Sequence, residues 1–137
     1  MPTDLVTKGK TKKRQLDYMR LPLVLTPPGF ETPTTAVVEL VNAMPGQGVT
    51  SMFNFGQVTG AVLGALGQAQ IPTERITPRQ WQAELKVSKD GAAARHMASS
   101  LYPNFANMLI RKKDDGRADA ILIATAQARI INRRTNS

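Results

Sequence analysis

The chain has no cysteine and a single histidine, so it offers no thiolates for disulfides or soft-metal sites and no imidazole cage for zinc. Any resident metal must be held by carboxylates. Acids are scarce too: 10 Asp and Glu stand against 18 Lys and Arg, a formal net charge of +8. No apolar run approaches the length needed to cross a bilayer, and the opening MPTDLVTKGK lacks the apolar middle of a signal peptide. A cytoplasmic location is the default expectation.

What is present suffices for a folded domain, since 137 residues that are 42% hydrophobic can bury a core. The basic excess favours polyanion partners, nucleic acid or an anionic membrane face, because phosphate contacts release condensed counterions. A merely charged, soluble surface is the plain alternative. The bases also cluster: Lys8, Lys10, Lys12, Lys13 and Arg14 in KGKTKKR, Arg111, Lys112 and Lys113 in RKK, and Arg129, Arg133 and Arg134 near the C-terminus.

Residues 1–34 read as a basic N-terminal segment, a short helix and a Pro-rich connector. The first 14 residues are polar and aperiodic, which predicts an arm or an exposed hairpin. Gln15 to Leu25 has helical spacing at Leu16, Met19 and Leu23, cut short by Pro22, Pro27 and Pro28. Residues 35–137 read as a single core. Thr35 to Val41 is predicted as a strand, because β-branched residues dominate and a Pro-Gly pair closes it. Thr50 to Gln70 is predicted as a helix capped by Thr50 or Ser51. Gly56, Gly60 and Gly64 share one face of it; each glycine costs roughly 1 kcal/mol against alanine, so the stripe implies close backbone packing.

Beyond it, Thr73 to Thr77 is a short strand, Pro78 opens a helix through Trp81 and Leu85, and KVSKDG is a turn. Ala92 to Tyr102 is a helix stopped by Pro103, with a further turn in NFANMLI. Asp114 to Ile131 is a helix with acids at its start and bases at its end, as the helix dipole prefers. Strands alternating with helices indicate an α/β layered domain.

Glu39 lies in a strand that is apolar on both faces, with Val37 and Val41 on one side and Ala36, Val38 and Leu40 on the other. A carboxylate there must pair, protonate or bind a cation; a salt-bridged or edge-exposed glutamate is the alternative. Asp115 and Asp119 lie four apart, on one helical face that continues into Leu122, Ile123 and Ala126. The alternative is that Asp114 or Asp115 is an N-cap, the better reading for Asp114, and that Asp119 is a first-turn acid favoured by the helix dipole. Asp119 opens AILIA, which looks buried nearly all round. A strand carboxylate with helix carboxylates on a basic chain suggests a magnesium or manganese site acting on phosphodiesters, although spacing does not establish that Glu39 meets Asp119.

The ordered set VVELVNAMPGQGVTSMFNFGQVTG, ITPRQW, a turn containing Lys89 ahead of a helix ending in LYP, and KKDDGRADAILIA resembles the RuvC-like crossover (Holliday) junction endodeoxyribonucleases, particularly phage-type members. The resemblance covers about Thr35 to Ala128. It implies a ribonuclease-H-like, three-layer fold with a mixed sheet, a homodimer acting on four-way DNA junctions in recombination, repair or phage DNA processing, and a carboxylate-held Mg2+ pair (Mn2+ possible in its place). By position it makes Glu39, Asp115 and Asp119 catalytic metal ligands and Lys89 a catalytic cation near the scissile phosphate. Gly116 departs from the aspartate that many members carry three residues before the last acid.

With the basic groups added, the DNA-binding set is Lys8, Lys10, Lys12, Lys13, Arg14, Lys89, Arg111, Lys112 and Lys113. Met44 and the PGQG loop take the place where members probe the junction, and Gln57 and Gly60 follow the family pattern. Phe53 and Phe55 read as core or dimer contacts, Trp81 as core, and His96 carries no role. The family opens with a strand bearing its first aspartate in a pattern like GIDPG, which has no counterpart here, so the expectation is an N-terminally truncated member lacking the first strand. It acts in a bacterial host or phage-infected cell. A non-catalytic DNA-binding or interaction remnant on the same scaffold is the contrasting expectation.

Overall fold

The computed structural model describes residues 3–8, 11–16, 19–25, 29, 35–40 and 45–136. The chain divides into two compact units, Met1–Ala36 with Asn42–Thr73 and Val37–Val41 with Glu74–Ser137.

In the first unit, β1 (Thr3–Lys8) and β2 (Thr11–Leu16) form an antiparallel hairpin in which Lys12 stands opposite Thr7, Lys13 opposite Val6 and Arg14 opposite Leu5. Of the two readings of this basic stretch, the hairpin is the one observed; Lys10 lies outside the described residues. The pairing also corrects the helix expected from Gln15, because β2 takes Gln15 and Leu16 and leaves only α1 (Leu21–Leu25). Pro22 sits in its first turn, where a missing N–H breaks no helical bond. A Pro45–Gly46 turn follows, with Gly46 at φ +86, the left-handed conformation glycine adopts without steric cost.

Helix α2 (Val49–Gln68) begins from Gly48, which makes no side-chain cap. Thr50 and Ser51 therefore lie inside its first turn and are not caps. Helix α1 packs on α2, and among the described residues of this unit Leu21, Leu66 and Ile71 are buried. The glycine stripe is a second correction. A Cβ added at Gly56, Gly60 or Gly64 meets no atom within 4 Å, so no part of the described chain packs closely there. Phe53 and Phe55 are 66% and 52% exposed and are not core.

The second unit is built on β3 (Ala36–Glu39) and β4 (Thr73–Ile76). Ala36 N–H donates to Pro72 and Leu40 N–H to Ile76, a same-direction offset that makes the pair parallel. Helix α3 (Pro78–Leu85) starts in a capping box: Gln80 N–H donates to the Thr77 hydroxyl at 3.2 Å and Thr77 N–H to the Gln80 side chain at 2.8 Å. Asp90 caps α4 (Gly91–Leu101), accepting from Ala92 N–H at 3.2 Å. Two 3-10 segments, Pro103–Met108 and the single turn Lys112–Asp114, lead into α5 (Asp115–Thr135).

The core of this unit joins Ile76, Trp81, Leu85 and Val87 to Ala94 and Ala98 of α4, Leu109, and Ala118, Leu122, Ile123 and Ala126 of α5. Ala94 and Ala98 of α4 lie one turn apart, and on α5 the same spacing gives Ala118, Leu122 and Ala126, so the two helices pack along stripes in which Leu122 is the one large side chain. AILIA is not buried all round, since Ala120 and Ala124 are exposed and only the Leu122 and Ile123 side is covered.

Among the described residues the strands form two separate two-stranded sheets, and no single mixed sheet is observed. The mixture of helices with a small parallel pair is compatible with an α/β fold. No described helix is long and apolar enough to cross a membrane.

A candidate carboxylate site at β3 and the start of α5

Glu39 ends β3 and is half-buried; its carboxylate accepts a hydrogen bond from the Trp81 indole N–H at 2.6 Å. The indole is itself 3% exposed and held in the core from α3. A buried N–H that donates to a charged acceptor fixes that acceptor in place, and the bond is of the stronger, charge-assisted kind. The unexplained acid of the strand thus has a neutral partner, not a salt bridge.

Asp119 lies one turn into α5, half-buried. Burial pushes its carboxyl above the ordinary aspartate value, and the charges of Glu39 and Asp115 push it further the same way. Glu39, distant in the sequence, therefore shares one electrostatic neighbourhood with Asp119 and Asp115.

Asp115 opens α5 and forms an ion pair with Arg95 of α4. Its approach depends on Gly91: a Cβ there would stand 2.8 Å from the Asp115 carboxyl carbon and 3.0 Å from one of its oxygens. Any other residue at position 91 would push the carboxylate away. Asp114 is differently employed. It is buried at 3% exposure, accepts from the Arg111 backbone N–H at 2.9 Å and from its guanidinium at 3.3 Å, and lies 3.6 Å from Arg117. These bonds, the backbone N–H first, hold its carboxyl below the ordinary value. Between the two neighbouring acids, Asp115 is the one near Asp119, and Asp114 is a local cap.

Among the described residues no three acids or histidines stand close enough together to hold a metal ion. Carboxylate oxygens are the hard donors that a divalent ion such as Mg2+ takes, but the described residues do not gather them into a set that could hold one.

Lys89 is exposed in the turn two residues ahead of Gly91, so the backbone brings it to the Asp115 end of α4. Lys112 and Lys113 are exposed in the turn before α5. Arg111 is exposed but engaged with Asp114. Two of the three C-terminal bases are paired: Arg133 with Glu84 at 2.6 Å and Arg134 with Glu74 at 3.3 Å, and the Arg133 bond holds the Glu84 carboxyl low. These pairs line a cleft of about 540 Å³.

Three contributors escape a reading of the sequence. Trp81 looks like core alone, Arg95 is a single base in an alanine-rich helix, and Gly91 looks like turn punctuation. Only the packing of α3 and α4 reveals their contacts. The available signal was indirect: a Trp with an N–H to satisfy, in a core region whose one nearby strand acid lacked a partner.

No protein-family model matches the chain. Over 108 residues, 76% of its length, it is 32% identical to the chloroplastic Holliday junction resolvase MOC1 of Chlamydomonas reinhardtii. It spans 12% of that protein's length.

Proposed function

We propose that this chain carries the ribonuclease-H-like core of a metal-dependent endonuclease that resolves four-way DNA junctions, of the RuvC-like phage type. The observation that carries the reading is Asp119, raised by burial and by Glu39 and Asp115 together. Such a cluster of half-buried like charges is unfavourable unless a cation or a function offsets it. Glu39, Asp115 and Asp119 would hold Mg2+, with Mn2+ as a substitute. When bound, the metal pair supplies an activated water and stabilises the leaving oxygen in an in-line displacement.

The chain's own residues do the rest. Trp81 holds Glu39 in place, and Gly91 gives Asp115 room. Lys89 offsets charge developing on the phosphate, and the basic hairpin with Lys112 and Lys113 holds the DNA backbone. The setting is the cytoplasm of a bacterial host or phage-infected cell.

The test is magnesium-dependent cutting of a synthetic four-way junction and of a plain duplex, by this chain and by a version extended upstream to include the aspartate strand that the resemblance implies. Junction-selective cutting by either form, lost in Glu39→Gln, is the expected result. Cutting that survives Glu39→Gln overturns the metal site. Junction binding without cutting by both forms is the result of a non-catalytic remnant.

The same reading makes the protein a homodimer, and α2 supplies the surface. Its glycine face is open, and Phe53, Phe55 and Val49 are more than half exposed. A second copy packed there covers apolar area that no described part of this chain covers. Phe53→Glu is expected to weaken self-association at least about tenfold in sedimentation velocity, as truncation of an interface aromatic does, while leaving the melting temperature of the monomer unchanged. A wild-type chain that sediments as a monomer at high concentration removes this part of the proposal.

A further inference from the structure

We propose that the cleft lined by β4, the end of α3 and the end of α5 is a second DNA-binding site, which takes backbone phosphates of the junction away from the carboxylates. The inference rests on the junction-binding reading and adds a contact surface to it.

The cleft has a volume of about 540 Å³, and its charged lining is Glu74 and Arg75 of β4, Glu84 and Lys86 at the end of α3, and Arg133 and Arg134 of α5. Four bases thus face two acids. Both acids are committed within the fold: Glu84, 13% exposed, accepts from the Arg133 guanidinium at 2.7 and 2.6 Å, and Glu74 accepts from Arg134 at 3.3 Å and from the buried Gln127 amide at 2.5 Å. They hold two arginine side chains that stay 67% and 63% exposed. Such pairs orient the arginines without cancelling the surplus charge of the cleft.

That surplus lies in Arg75 and Lys86, which are exposed and make no ion pair among the described residues. Arg129 adds to it, since it is exposed one turn before Arg133 and its charge is felt at Glu84. The helix dipole accounts for a base at the end of α3, but not for one on a strand. Lys86 is moreover the C-cap of α3 at φ 54, a left-handed conformation that glycine takes without steric cost. A lysine there accepts backbone strain and places a charge at the cleft.

From Asp119 to Arg133, α5 rises about 21 Å at about 1.5 Å per residue. A duplex covers that distance in about six base pairs at about 3.4 Å each. A small anion could fill the cleft alone, whereas DNA presents a row of phosphates long enough to meet both places.

Arg75→Gln with Lys86→Asn removes two charges that pair with nothing described, and asparagine suits the left-handed backbone. Binding to a labelled four-way junction is followed by fluorescence anisotropy in EDTA over a range of salt concentrations. The double variant is expected to keep its melting temperature, to bind about tenfold more weakly, and to lose about two from the slope of log affinity against log salt, about 0.9 for each phosphate contact. Unchanged affinity and slope, while Lys112→Gln with Lys113→Gln weakens binding, overturns the cleft and leaves the junction reading standing. Inorganic phosphate that raises the wild-type melting temperature, with junction binding indifferent to the cleft variant, marks a small-anion site and also overturns the proposal. No junction binding by the wild-type chain overturns the junction reading and the cleft with it.

Discussion

Asp119→Asn is expected to raise the melting temperature at neutral pH by about 2–4 °C and to reduce junction cutting about a thousandfold or more. The two effects have one cause. The Asp119 carboxyl is raised above the ordinary value of 3.8 by burial and by two neighbouring acids. The folded protein therefore holds the proton more tightly than the unfolded chain, and stability falls as pH rises from about the ordinary value through the raised one. At neutral pH the penalty is fully present. Asparagine has no charge to bury and relieves it. As pH drops below the ordinary value, wild type and variant should converge, because both then carry a neutral group at position 119.

Under the proposed metal-site reading, magnesium is expected to reverse the order. An ion that binds only the folded wild type stabilises it by about 2.7 kcal/mol at a hundred times its dissociation constant, and the variant, lacking a ligand, gains far less. Thermal melts across pH, with and without Mg2+, measure both. A variant less stable than the wild type at neutral pH, or a wild type indifferent to Mg2+, would falsify the account of Asp119 as a strained metal ligand.

The acids themselves were legible in the sequence, and their arrangement was not. Glu39 was visible because a charge inside a β-branched run is anomalous, and Asp115 and Asp119 because helical periodicity puts them on one face. Both are local patterns. The helix after Pro78 was equally local, and it is observed as expected. The errors fall where a partner decides the outcome. Gln15 and Leu16 have helical spacing, yet a neighbouring strand took them into a hairpin. The glycines of α2 imply a close neighbour, yet the described chain provides none. The contacts of Arg95 and Trp81 depend on how α3 and α4 pack, which no spacing in one segment encodes.

Trp81 provides the sharpest separation of packing from site, because its ring and its N–H do different things. Trp81→Ala removes a side chain that is 3% exposed at the centre of the second unit, and is expected to cost about 3–5 kcal/mol in urea denaturation. Trp81→Phe keeps most of the ring's packing and removes only the donor to Glu39. Glu39 is half-buried, so water can replace part of the lost bond, and the expected cost is near the lower end of the 1.5–3 kcal/mol typical for a hydrogen bond to a charged group, about 1.5 kcal/mol. Its effect on the site should be larger than that figure suggests. Residues that orient a metal ligand typically change metal affinity about 10–100-fold when altered, because the freed ligand must be reordered each time an ion binds. Trp81→Phe is accordingly expected to weaken Mn2+ binding about tenfold or more while remaining folded at room temperature. In a Glu39→Ala background, where no carboxylate remains to be oriented, the same substitution should leave the residual Mn2+ affinity unchanged. Equal Mn2+ affinity in wild type and Trp81→Phe would show that the indole N–H only satisfies itself against a convenient acid, and Trp81 would then belong to the core alone.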